Sequence, residues 1–183
     1  MDSCPTKAIL EPGKLLPQKC IAFNHWATKF VPMEIREVNG GRIHGCDVCQ
    51  EVCPRKKKFL QTATKGDSFL DLLANELDLE KLLLMEDTYY EKIVHPIMYN
   101  YIKSKKVFQR NAAIALGNSQ DEKHVLALTT ALNTCDPMVR EYAAWALGNI
   151  GGEMAKAKLE KELEHEQTDI VKEAINTALA KFQ

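Results

Sequence analysis

This sequence predicts a mainly α-helical protein in which an irregular, cysteine-bearing region precedes a short stack of repeated helices. Three observations carry that prediction. Five of the six cysteines lie within the first 53 residues, in a segment broken every few residues by proline or glycine. The stretch NAAIALGNS at 111–119 returns as YAAWALGNI at 142–150, a shift of 31 residues. Between these regions, leucine and other apolar residues recur at helical spacing.

Composition narrows the class. With 183 residues, 45% hydrophobic and 27% charged, the chain is ordinary for a globular protein, and its net charge of −1 gives no whole-chain sign of nucleic-acid binding. The charge is unevenly placed, however. Residues 1–58 hold ten Lys/Arg against six Asp/Glu, and the remainder holds fourteen against nineteen. A basic first third before an acidic remainder suggests two units with different tasks. No segment approaches the eighteen or so apolar residues of a membrane span. Asp2, Pro5 and Lys7 interrupt any signal-peptide run, so a cytoplasmic protein is expected. In that compartment, clustered cysteines point to metal binding or redox chemistry, not to disulfides.

Taken in order, residues 1–58 are expected to be irregular, with short helices near 19–26 and 47–52, and to owe their order to a metal cluster. Residues 59–105 read as a helical connector. Asp67 is placed as an N-cap before Phe69, Leu70, Leu73 and Leu77, and Asp78 caps a second short helix reaching Met85. A further helix from about Thr88 is expected to break or kink near Pro96. Residues 106–183 read as repeats. Phe108, Ala112, Ala115 and Leu116 in one copy match Val139, Ala143, Ala146 and Leu147 in the next, and a weaker copy, AINTALA, lies at 174–180. Second helices are expected near 121–133 and 152–165. Gly117 and Gly148 read as left-handed helix stops, and Asp136-Pro137 as a helix start. The whole is a short HEAT-like α-solenoid.

The cysteines form a pattern. Cys46-x2-Cys49-x3-Cys53-Pro54 is preceded by a lone Cys20 and by Cys4-Pro5. Two-cluster bacterial ferredoxins carry C-x2-C-x2-C-x3-C-P twice, and the fourth cysteine of each run ligates the other cluster. This chain fits the second run if Cys20 is its first ligand, displaced by a 25-residue insertion. Cys4, Cys20, Cys46 and Cys49 would then hold one 4Fe–4S cluster, and Cys53 would serve a second whose other ligands are missing. A four-cysteine zinc site usually shows two C-x2-C pairs; here there is one, and zinc does not explain a Cys-Pro that occurs twice. The same spacing would put the missing ligands just before Met1, so a chain cut within its motif is expected. A cubane held by four thiolates has no open coordination site, which suits electron relay and not substrate binding.

The order of these parts resembles the C-terminal half of epoxyqueuosine reductase. The resemblance covers nearly the whole chain and is carried by CPTKAI, KCIAF, RIHGCDVCQEVCP, HPIMYNYIKSKKVFQRNAAIALGN and DPMVREYAAWALG. Arg55-Lys56 departs from the aromatic and small polar residues common there. The resemblance implies cobalamin and two 4Fe–4S clusters, which together remove the epoxide oxygen of epoxyqueuosine in tRNA, the last step of queuosine biosynthesis. Cobalamin and the catalytic acid would belong to an N-terminal domain absent from this chain, so no catalytic residue is expected. A separately encoded N-terminal part is a candidate partner, whereas DNA and membrane are not. For tRNA the candidates are Lys56, Lys57, Lys58, Lys103, Lys105, Lys106 and Arg110, since folded RNA is held largely through phosphates and shape.

The alternative is a ferredoxin-like electron-transfer protein whose HEAT-like part recruits a protein. Reductive dehalogenases share the cobalamin and double-cluster region, but the HEAT-like tail argues against them. Among other residues, His44 is a candidate hydrogen-bond donor near the cluster. Arg140 is expected to stabilise its repeat, Trp145 to pack, and Cys135 to be an idle thiol.

Overall fold

Glycine at position 13 allows the first turn of the chain. Its φ of +80° is open to a residue without a Cβ, and it links β1 (Ile9–Glu11) to β2 (Lys14–Leu15) as an antiparallel hairpin pairing Ile9 with Leu15. The computed structural model describes residues 2–26, 30–62, 66–98 and 103–182, with backbone alone at 59, 60 and 75. Residues 99–102 of the connector lie outside the described residues. The hairpin was not expected from the sequence, because two- and three-residue strands carry no readable alternation.

Short helices come next: α1 (Ile21–Trp26), α2 (Met33–Val38), α3 (Val48–Glu51) and α4 (Lys57–Gln61). Ala8, Ile21, Val31 and Ile35 are the buried apolar side chains among the described residues before Leu82. So small a core cannot order sixty residues, and this region instead leans on the helices C-terminal to it.

In the connector, α5 (Ser68–Glu76) is capped by Asp67, whose Oδ1 accepts from the Phe69 N–H at 2.9 Å. Asp78 caps α6 (Leu79–Leu83) in the same way, accepting from Glu80 and Lys81. The next helix does not break before Pro96. It runs from α7 (Asp87–Tyr89) through a π-helical turn at Tyr90–Val94 into α8 (His95–Ile97). Proline lacks an N–H and presses on the carbonyl four residues back. A widened turn accommodates both, and the helix ends one residue past Pro96, at Ile97.

The repeats comprise α9 (Lys105–Ser119), α10 (Val125–Thr134), α11 (Pro137–Ile150), α12 (Gly152–Leu163) and α13 (Asp169–Leu179). α11 lies between α9 and α13, and α6 packs on α9. Asp136 caps α11 by accepting from the Met138 N–H at 2.9 Å, with Pro137 in the first turn. The repeat-matched residues from Phe108 to Leu147 are all buried, and all but Ala115 belong to one apolar cluster that runs from Ile21 to Ala178. α9 is buried all round, from Val107 to Gly117 without interruption, as befits a helix covered by neighbours on every side. No helix among the described residues is long and apolar enough to cross a membrane.

Gly117 and Gly148 are not helix stops. α9 continues to Ser119 and turns left-handed at Gln120, and α11 continues to Ile150 before Gly151. Both glycines instead allow close approach of helices. A Cβ on Gly117 would stand 2.8 Å from the Ala146 Cα, and one on Gly148 would stand 2.6 Å from the Ala178 Cβ. The asparagines next in sequence bond beside these notches: Asn149 Nδ2 donates to the Gly117 carbonyl of the neighbouring repeat helix at 3.0 Å, and Asn118 Nδ2 donates to the Arg36 carbonyl of α2 at 2.8 Å. The ALGN motif is therefore a packing notch with a side-chain clasp beside it.

Candidate metal centre and basic surface

All six cysteines are free thiols. Cys4 sits in a turn where Ala8 N–H donates to its Sγ at 3.3 Å and Thr6 Oγ1 lies 3.5 Å away. Burial opposes its ionisation, but these hydrogen bonds outweigh burial and hold the thiol below its ordinary range. Cys20 stands at the entry to α1. Its N–H donates to the Pro17 carbonyl at 2.8 Å, and its own carbonyl accepts from Asn24 Nδ2 at 2.9 Å. Cys46 is half-buried against the apolar cluster, Cys49 lies exposed on α3, and Cys53 is half-buried beyond its end.

Among the described residues, no group of three or more His, Cys, Asp or Glu side chains is drawn together so as to hold a metal ion. The donor chemistry nevertheless fits a cluster: soft sulfur ligands without disulfides, one of them already receiving a backbone N–H. Metal sites rarely stand fully formed without their metal, because thiolates repel and the ion supplies the closing energy.

His44, two residues before Cys46, sits among aromatic rings. Its ring lies between Trp26 and Phe108, with centroids 5.9 Å from each, and its buried Nδ1 makes no hydrogen bond. Burial lowers its pKa. Arg140 holds its repeat as expected, donating to Glu166 Oε1 at 3.0 Å and Thr168 Oγ1 at 2.9 Å. Trp145 is buried and donates to the Met33 sulfur at 3.0 Å. Burial pushes the Cys135 thiol up, which keeps it protonated and inert.

The basic candidates divide. Lys56, Lys57 and Lys58 are exposed at the start of α4, and Lys56 also bonds Gln50. Lys105 pairs with Asp87 at 2.6 Å and Lys106 with Asp136 at 3.5 Å; Lys103 sits at a left-handed φ of +46°. Arg110 is a correction. It is wholly buried, and its guanidinium donates to the carbonyls of Asn24 and His25 at 2.9 and 3.2 Å. A side chain committed to buried backbone carbonyls offers nothing to an RNA phosphate.

Residues 1–56 match the family described as a 4Fe-4S double cluster binding domain, and residues 100–180 match HEAT repeats. An uncharacterized protein from the gldA 3′ region of Geobacillus stearothermophilus is 36% identical over 177 residues, covering 96% of this chain and 81% of that protein. The epoxyqueuosine reductase of Bacillus subtilis is 35% identical over 176 residues, covering 94% of this chain and 44% of that protein. A crystal structure of an epoxyqueuosine reductase with an epoxyqueuosine-modified tRNA-Tyr stem loop superposes with a TM-score of 0.82 at 33% identity, over 99% of this chain and 48% of that one. The chain belongs to the epoxyqueuosine reductase family. It corresponds to the C-terminal half, and spans about half the length of the reductases it matches.

Within this member of the epoxyqueuosine reductase family, a lattice of buried polar side chains joins the cysteine region to the repeats. Asn111 Nδ2 donates to the carbonyls of His25 at 3.1 Å and Ile43 at 2.9 Å. Arg36 Nε donates to the Val31 carbonyl at 2.8 Å, its NH2 pairs with Glu141 at 2.9 Å, and its guanidinium lies 3.9 Å from the Tyr142 ring centre. Tyr142 Oη accepts the Val31 N–H at 2.6 Å. Sequence reasoning missed these residues. The available signal was Gln109-Arg110-Asn111 set between apolar residues in the middle of a helix, where buried polar groups persist only if bonded.

Proposed function

We propose that this chain is the electron-relay and tRNA-binding part of a cobalamin-dependent epoxyqueuosine reductase acting in the cytoplasm in the last step of queuosine biosynthesis. The observation supporting this reading is a double-cluster region followed by HEAT repeats, in one fold similar to a reductase solved with a tRNA stem loop. Cys4, Cys20, Cys46 and Cys49 hold one 4Fe–4S cluster, and Cys53 is a ligand of a second. The units are 1–58 for the clusters, 59–105 as connector and 106–183 for the repeats. Cobalamin and the catalytic acid belong to the half of the family that these residues do not cover, and no catalytic residue is assigned to this chain. A loaded cluster supplies a one-electron carrier. The residues of this chain hold it, exclude water from one side through Cys46 and the apolar cluster, and present Lys56, Lys57 and Lys58 to RNA.

Anaerobic reconstitution with iron and sulfide tests the reading. About four iron per chain and salt-dependent binding of a tRNA stem loop are expected. Tight zinc binding without iron would overturn the cluster assignment. Affinity for the stem loop that does not change with salt would overturn the RNA assignment and favour a protein partner.

A further inference from the structure

The two cysteine-bearing segments on either side of the 25-residue insertion meet through the Trp26 and His44 rings and the His25–Asn39 bond, and a third element clamps both. The first repeat helix holds them both. Asn111 Nδ2, from inside α9, reaches the His25 carbonyl in α1 and the Ile43 carbonyl three residues before Cys46. Arg110 reaches the same α1 segment at Asn24 and His25, and both its Nε and NH2 donate to Asn111 Oδ1, at 3.1 and 2.8 Å. Those last bonds fix the Asn111 amide with its nitrogen turned toward the two carbonyls. Asn24 extends the chain of contacts to a ligand, since its Nδ2 donates to the Cys20 carbonyl at 2.9 Å and the Gln18 carbonyl at 2.8 Å. One hydrogen-bonded path thus runs from Arg110 through Asn24 to Cys20, and another from Asn111 to the backbone leading into Cys46.

The charge matters as well as the bonds. Burial lowers the Arg110 pKa to about 10, which leaves the group charged at neutral pH. Uptake of one electron makes a thiolate-bound cluster one unit more negative, with no Fe–S bond broken and no proton required. A fixed cation in a low-dielectric interior favours the reduced form.

We propose that Arg110 and Asn111 are positioning residues for the cluster: they set the spacing of the Cys20 and Cys46 segments from within the first repeat, and the fixed Arg110 charge raises the cluster's reduction potential. This rests on placing Cys20 and Cys46 in one cluster, as proposed above. It makes the repeats part of the electron-transfer apparatus and not only a surface for RNA.

The test uses the full chain, reconstituted anaerobically and reduced with dithionite as the electron donor. Iron content, the EPR spectrum and the midpoint potential are measured for the unaltered chain, Arg110→Gln, Arg110→Lys and Arg140→Gln. Arg140 is the control, being a repeat arginine bonded to Glu166 and Thr168 and not to either cysteine segment. Arg110→Gln is expected to move the potential to more negative values with altered g values, Arg110→Lys to lie nearer the unaltered chain, and Arg140→Gln to lower Tm alone. An Arg110→Gln chain that keeps iron, potential and g values while losing Tm would show a merely structural role and overturn the proposal. If Arg110→Gln does not fold, Asn111→Ala decides. Altered g values at undiminished iron support the proposal, and a spectrum identical to the unaltered chain overturns it. Absence of iron from the unaltered chain would instead refute the ligand assignment on which both rest.

Discussion

Gly117 and Ala146 touch so closely that any side chain at 117 would displace helix backbone: a Cβ there would stand 2.8 Å from both the Cα and the Cβ of Ala146. Gly148 repeats the relation against Ala178 one unit later. Alanine at either site gains about 1 kcal/mol of helix propensity over glycine. The overlap falls on backbone, which cannot swing aside as a long side chain can, and overpacking of this kind costs roughly 1–3 kcal/mol. Gly117→Ala and Gly148→Ala are expected to destabilise despite the propensity gain, read as a lower urea midpoint at unchanged slope. A rise in midpoint for both would mean that the helices have room to part.

His25 gives the protein an acid-sensitive joint. Its Nε2 lies 2.6 Å from Asn39 Oδ1, and Asn39 Nδ2 is occupied by the Gly40 and Arg42 carbonyls, so the imidazole carries its proton on Nε2. Burial is the largest influence on this ring and lowers its pKa to about 4. The unfolded chain therefore binds a proton that the folded one refuses, and stability falls as pH drops from about 6.5 toward 4, by as much as about 3 kcal/mol. Urea unfolding at pH 7, 5.5 and 4.5 should show this loss, and His25→Gln should flatten it. An equally steep loss in the variant would place the acid sensitivity elsewhere.

The ligand pairing predicts unequal cysteines. Cys20→Ala and Cys46→Ala should each abolish the 4Fe–4S absorbance after reconstitution, whereas Cys53→Ala should leave it intact. Cys135→Ala should do nothing to iron content, because that thiol sits among repeat side chains and is held protonated by burial. Loss of iron in Cys53→Ala with retention in Cys20→Ala would reverse the pairing.

RNA contact predicts unequal lysines. Lys57 and Lys58 are exposed, whereas Lys105 and Lys106 are engaged by Asp87 and Asp136. Replacing Lys57 and Lys58 by Ala should reduce the salt slope of stem-loop binding by about 1–2. Lys106→Ala should change it less, because an acid released from its partner offsets part of the lost charge. Equal slopes in all variants would remove α4 from the RNA surface.

Much of the architecture was legible because it rests on local chemistry. Asp67, Asp78 and Asp136 declare helix starts through their own side chains, and each caps the helix expected of it. The repeat register was legible because identical residues recur at identical helical phases. Gly117 and Gly148 were misread for the complementary reason. A glycine near a helix end has the same sequence signature whether it terminates the helix or admits a neighbour, and the choice is made by a residue 29 or 30 positions away, Ala146 or Ala178. Arg110 failed in the same way: lysines beside it mark a basic stretch, but its partners Asn24 and His25 lie more than eighty residues earlier. The cysteine pattern showed which chemistry to expect. It did not show what holds the cysteines, since the Asn111 clasp joins segments that local spacing does not relate.

That only four apolar side chains are buried among the described residues before residue 82 has a consequence for the order in which the protein acquires its structure. Val31 is fastened by Tyr142, Arg36 by Glu141, and α1 by Arg110, across separations of 85 to 111 residues. Contacts this distant in sequence are slow to form and wait for their partners to be synthesised. The cysteine region is therefore made before the helices that hold it and folds after them, and its thiols stay open to iron delivery until α9 and α11 have closed behind them.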